Sequence, residues 1–128
     1  LTIPCEMCIR DREMTDNVLS GKNGARLADG IALHAADTFD WPSLAGEDRG
    51  ARGFCRALRD QAAILADGTV VPCCLDGDGV IDLGNILETD WDSIMTSARA
   101  RAMYDGFSAR SVVEPLCRRC GYRTRFGV

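Results

Sequence analysis

Seven cysteines in a chain of 128 residues limit what it can fold into more than any other feature. The count is odd, and Cys73 and Cys74 are adjacent. A secreted disulfide framework usually has an even number behind a secretory leader. The opening residues show no basic stretch followed by an apolar one, so the thiols are expected to stay reduced in the cytoplasm. Clustered cysteines there serve more often as metal ligands than as disulfides. Cys117-x2-Cys120 can present two thiolates to one centre from a single turn, a spacing that recurs in zinc and iron–sulfur sites. Cys55 and Cys73 flank a hairpin pattern, and a hairpin brings its ends together. Cys55, Cys73, Cys117 and Cys120 can therefore meet in one closed site. Spacing alone leaves zinc and an iron–sulfur cluster both open.

The hairpin pattern occupies residues 61–71. Residues 61–65 form a strand candidate, Asp67-Gly68 supplies the positive φ of a tight turn, and Thr69-Val70-Val71 is the β-branched return. Pro72 ends it and presents Cys73. Asp76-Gly77-Asp78-Gly79 makes a second turn, and residues 80–83 a third short strand. Asp67, Asp76, Asp78 and Asp82 are read as turn formers, because the bidentate Glu that closes a calcium loop is missing. A helix follows, capped by Thr89 or Asp90, with Asp92 in its first turn. Trp91, Ile94, Met95, Ala98 and Ala102 fall on one face, expected to pack in the core. Gly106 is its expected stop. Residues 112–116 then lead into Cys117.

Composition removes several function classes. Hydrophobic residues make up 46% of the chain, enough for a modest core, and a metal would add stability to so small a domain. The net charge of −4 gives no reason to expect nucleic acid or an anionic membrane as partner. No apolar run is long enough to span a bilayer. The basic residues are 14 Arg and Lys22, a bias with no functional reading.

Cys55-x12-Gly68-x4-Cys73 resembles the opening motif of the SPASM and twitch domains, which extend many radical S-adenosylmethionine enzymes. The surrounding text is similar too: Ile64-Leu65-Ala66-Asp67-Gly68-Thr69-Val70-Val71-Pro72-Cys73-Cys74, then Leu83-Gly84-Asn85-Ile86, a helix, and Cys117-x2-Cys120. The resemblance covers about residues 54–122. It implies an α+β fold in which a β-hairpin and a helix surround an auxiliary [4Fe–4S] cluster. The implied ligands are Cys55, Cys73, Cys117 and Cys120. The longer two-cluster pattern continues with further cysteines, and none follows Cys120, so the chain looks like the single-cluster twitch form. Cys74 then has no place among four thiolates, except as a less favoured substitute for Cys73. A fully thiolate-ligated cluster implies electron transfer or substrate positioning during radical modification of a peptide or small molecule. The alternative is a ribbon-like zinc module without a redox role.

The catalytic cluster of these enzymes sits in a Cys-x3-Cys-x2-Cys motif, which this sequence lacks. Cys5-x2-Cys8 could be its last two members, but Leu1 stands at the first position. Residues 1–46 are expected to be a truncated remnant of the partial (β/α) barrel, with residues 31–34 as a strand, or, over residues 1–12, text that is not genuine protein. S-adenosylmethionine and a second [4Fe–4S] cluster would then belong to the full-length enzyme, and its catalytic barrel would be the partner. His34, the only histidine, is read as a strand residue, and Phe39 and Trp41 as packing at the barrel junction. Residues 47–53 look like a linker, and residues 123–128 like a tail. Arg118, Arg119, Arg123 and Arg125 form a basic end, read as a solvated face, as tuning the cluster electrostatically or as docking on the catalytic domain.

Overall fold

The computed structural model describes residues 25–33 and 38–127, in two compact units that divide between Thr38 and Phe39. In the first, β1 (Ala25–Ala28) pairs antiparallel with β2 (Ile31–Leu33). Ile31–Leu33 lies within the expected strand, and its partner precedes it in the polar, glycine-containing stretch of residues 21–30, whose apolar runs are too short to mark a strand. The missed signal is Asp29-Gly30, the same dipeptide that marks the later hairpin. Gly30 sits at φ 78°, and Ala28 faces Ile31 across a two-residue turn. Barrel strands run parallel to their neighbours, so this antiparallel pair lends the expected barrel remnant no support. Cys5, Cys8 and His34 lie outside the described residues.

The second unit is a small α+β domain. β3 (Ala63–Ile64) and β4 (Val70–Val71) pair antiparallel, with Ala63 opposite Val71 and Ile64 opposite Val70. Leu65 N–H donates to Thr69 O at 2.8 Å, and the Asp67 carboxylate accepts from Thr69 N–H at 3.0 Å. Gly68 takes φ 89°, and a Cβ there would stand 2.5 Å from Asn85 Oδ1. Only glycine meets both demands.

Residues 80–83 do not form the expected third strand. The backbone that runs beside β4 lies slightly later: Leu83 N–H donates to Val70 O at 3.0 Å, and Val70 N–H to Gly84 O at 2.8 Å. Thr69 and Asn85 form an isolated antiparallel bridge. The earlier residues are diverted by Asp76, which is 3% exposed and whose carboxylate accepts from Val80 N–H at 2.9 Å and Ile81 N–H at 2.7 Å. Those amides bond a side chain instead of a ladder, which confirms the turn reading of this aspartate. The Asp76→Ala variant is expected to lose about 2–4 kcal/mol, since it strands two amides that a charged acceptor now serves. Denaturant unfolding would measure the loss, and a cost below about 0.5 kcal/mol would contradict it.

The expected single helix is two. α1 (Trp91–Met95) is capped by Asp90, which accepts from Ser93 N–H at 2.9 Å. α2 (Ala98–Ser108) starts afresh at Ser97, an extended N-cap (ψ 156°) that accepts from Ala100 N–H. This second cap breaks the chain at Thr96-Ser97 and rotates the buried face. Ala100, Met103 and Phe107 are the buried side chains of α2, while Ala98 and Ala102 are exposed. Trp91 is 40% exposed. Gly106 does not stop the helix. It lets residues 111–113 pass, since a Cβ there would meet Ser111 O at 2.8 Å and Val113 Cγ1 at 3.0 Å.

One core joins these elements. Val70, Ile81, Leu83, Ile94, Ala100, Met103, Phe107, Val112 and Leu116 cluster with Ala57 and Leu58. Arg99 fastens α2 to the approach to the last cysteine pair. Its guanidinium forks onto Glu114 at 2.7 and 2.9 Å and donates to Asp82 O at 3.0 Å. Phe39 stacks on Trp41 with centroids 5.7 Å apart and meets Tyr122 edge-on at 5.0 Å, so it packs within the second unit. No helix among the described residues is long and apolar enough to cross a membrane.

Candidate metal centre

Three local devices deliver the cysteines. Cys55 precedes a tight turn in which Arg59 and Asp60 N–H both donate to Arg56 O, and in which Leu58 takes φ 62°. Cys73 leaves β4 through buried Pro72 and opens a turn closed by Asp76 N–H on Cys73 O at 3.2 Å. Cys117 lies in α3 (Pro115–Arg118), a single turn begun by a proline at its first positions. Cys120 N–H returns to Cys117 O at 3.3 Å, which sets the pair one turn apart.

Cys55, Cys73 and Cys117 pack against the hydrophobic core, and Cys120 is 8% exposed. All five described cysteines are free thiols, which removes the disulfide reading for them. Cys74 is exposed and points its residue away from the core on which Cys73 packs. Outside the four-thiolate set, Cys74 would be expected to bury as a small hydrophobe, but it is exposed: Pro72-Cys73 turns one neighbour inward and leaves the next outside.

The four thiols act on one another electrically. Burial pushes the Cys73 thiol up to about 11, and charge on Cys55, Cys120 and Cys74 adds to the rise. Burial likewise raises Cys117, reinforced by Cys73, Cys55 and Cys120. Cys55 is raised by burial and by Cys120, against the N–H groups of Ala57 and Arg56 and the Arg123 guanidinium. Without a cation Cys55, Cys73 and Cys117 therefore favour the neutral thiol, and metal entry must displace their protons. Among the described residues no three Cys, His, Asp or Glu side chains converge closely enough to hold a single ion.

These raised thiols carry a stability consequence. A thiol whose folded pKa exceeds its unfolded value stabilises the fold below the unfolded value and ceases to do so as pH rises through the folded one. For Cys73 that window runs from 9.0 to about 11. The metal-free protein is expected to lose Tm across it, by about 4–8 °C for each kcal/mol forfeited. The loss should shrink in Cys73→Ala. Anaerobic thermal unfolding over that pH range checks both, and a flat Tm would contradict the mutual burial of the thiols.

A strap completes the site. Residues 47–53, expected as a linker, are bonded to the C-terminal segment along their length. Arg49 N–H donates to Arg118 O at 2.9 Å, Val112 N–H to Ala51 O at 2.7 Å, and Gly53 N–H to Arg110 O at 3.0 Å. Asp48 meets Arg118 at 2.6 Å. Its carboxyl is held below the usual range first by Gly50 N–H and then by Arg118. The described part of the expected tail forms a 3-10 helix (Tyr122–Phe126), and one of its arginines is buried. Arg123 donates to Cys117 O, Arg52 O, Gly50 O and Arg49 O. The basic end is thus not wholly a solvated face. No periodicity signals this burial; the only hint is an arginine between Tyr122 and Phe126, two aromatic rings that pack edge-on.

A cavity of about 220 Å³ opens beside the site. Trp41, Leu44, Leu75, Val80 and Leu116 form its apolar walls, with Asp78 among its polar lining. Leu75 lies two residues after Cys73, and Leu116 directly precedes Cys117.

The family model for the iron–sulfur cluster-binding domain SPASM matches residues 55–121, from the first of the four cysteines to the residue after the last. No curated protein and no solved structure matches the chain.

Proposed function

Since the chain belongs to the SPASM family of iron–sulfur cluster-binding domains, we propose that Cys55, Cys73, Cys117 and Cys120 bind an auxiliary [4Fe–4S] cluster within a radical S-adenosylmethionine enzyme. The observation that carries this reading is that Cys55, Cys73 and Cys117 pack on one core, and that each of these thiols is raised by burial and by neighbouring cysteines, Cys120 among them. An all-sulfur donor set suits iron–sulfur chemistry. A tetrahedral zinc about 2.3 Å from each sulfur would draw the sulfurs to within about 4 Å of one another. The match to an iron–sulfur cluster-binding family favours a cluster over the structural zinc alternative.

The cluster would supply a one-electron carrier when bound. The protein's part is to hold four thiolates, to shield them with the core on one side, and to fix the Cys117 turn through the strap. With four thiolates no iron is left for S-adenosylmethionine, so the role is redox or positional. The radical step is assigned to a cytoplasmic catalytic barrel acting with this domain. The Trp41–Leu116 cavity would anchor an apolar group of its peptide or small-molecule substrate.

Reductive titration of the anaerobically reconstituted chain tests this reading. Uptake of about one electron per chain is expected, with a spectrum that S-adenosylmethionine leaves unchanged. A spectrum that shifts on adding S-adenosylmethionine would reveal an open iron and overturn the four-thiolate assignment.

A further inference from the structure

Arg123 is 4% exposed. Among the described residues no carboxylate pairs with it, although Arg49, Arg56, Arg99 and Arg118 all have one. Its guanidinium is met by carbonyl oxygens instead. Nε–H donates to Cys117 O at 3.1 Å and Nη1 to Arg52 O at 2.7 Å. Nη2 donates to Gly50 O at 3.1 Å and Arg49 O at 3.4 Å. The carbonyls satisfy its N–H groups but leave its charge uncancelled, and a buried cation without an anion is costly. The chain has made room for it: Gly53 adopts φ 148°, and a Cβ there would fall inside contact distance of Arg123 Nη1. Among the described residues the ion-paired acidic side chains meet other arginines, and none stands at this one. The missing negative charge is the one the site acquires when four thiols become thiolates around a cluster, which is anionic as a whole.

We propose that Arg123 is the internal counter-ion of the four-cysteine centre, offsetting the negative charge of the bound cluster while tying the 49–52 strap to the Cys117 turn. This rests on the cluster-binding reading above. A cation beside a redox centre favours its more negative state, so Arg123 raises the midpoint potential of the cluster. It is a positioning residue, because it bonds the backbone of Cys117 and not the metal ligand atoms.

The test compares the full chain with Arg123→Gln and Arg123→Lys, each reconstituted anaerobically with iron and sulfide and titrated for midpoint potential. Arg123→Lys keeps the charge and loses the fork, and its potential is expected to stay near that of the unmodified chain. Arg123→Gln loses the charge. Its reduced-to-oxidised ratio at the unmodified chain's midpoint is expected to fall about tenfold, about 59 mV for a one-electron couple. Equal potentials in all three proteins, or equal shifts in both variants, would overturn the counter-ion role and leave a structural clamp. Failure of the Gln variant alone to hold the cluster supports the role, and failure of both variants overturns it. If the unmodified chain takes up zinc and no cluster, the cluster reading fails, and zinc affinity then judges Arg123 separately. A loss of tenfold or more in Arg123→Gln but not Arg123→Lys upholds the counter-ion, and equal affinities reject it.

Discussion

Cys117→Ala is expected to abolish cluster retention, with bound iron after anaerobic reconstitution at least about tenfold below that of the unaltered chain. Loss of a hydrogen-bonded neighbour of a metal ligand already costs about 10–100-fold in affinity, and loss of a ligand itself costs more. Cys117 is the most demanding of the four positions. Burial and three neighbouring thiols all oppose its ionisation, so only a bound cation makes its thiolate favourable. The site as a whole can contribute on the order of 10 kcal/mol to a domain of this size. The variant should therefore also show a lower Tm than the loaded chain. Cys74→Ala serves as the contrast. Its thiol is exposed and absent from the core contacts, so iron content and Tm should stay unchanged. Iron analysis of the two variants side by side checks the pair, and a cluster retained in Cys117→Ala or lost in Cys74→Ala would contradict the ligand set.

Phe107→Ala is expected to cost about 3–5 kcal/mol. Phe107 is 1% exposed, in the cluster that receives α2 and on which Cys55, Cys73 and Cys117 also pack. Small domains rarely have more than about 5–15 kcal/mol to lose, so the metal-free variant should be largely unfolded at ambient temperature. Cluster binding should restore folding in part, because a ligand that binds only the native state adds its binding free energy to stability. Circular dichroism melts of the loaded and metal-free forms measure both effects. A Tm drop of less than about 8 °C in the loaded form would show that the core does not support the site as described.

Features with a local chemical cause were legible before the structure. Asp67-Gly68 made its hairpin, Pro72 presented Cys73, and Asp90 capped α1. Asp29-Gly30 carries the same hairpin signal, but Ala-Arg-Leu-Ala before it has no β-branched residues to mark it as a strand. The helix register failed for a different reason. Alanines at 98, 100 and 102 make almost any face of that segment apolar, and Ser97 was not recognised as a second N-cap. Gly106 has a tertiary cause that no local pattern records: the returning chain at Ser111 needs the space of a missing Cβ. The four-cysteine set was legible because a ligand needs a particular side chain and spacing records it. The strap and Arg123 were not, since their bonds join backbone carbonyls to an arginine some 70 residues away, and any residue can offer a carbonyl.

Metal and sulfide analysis of the anaerobically reconstituted chain tests the central claim most directly. The account predicts about four iron and four sulfide per chain, with the brown charge-transfer absorbance of an iron–sulfur cluster. One zinc per chain, no sulfide and no visible absorbance would contradict it.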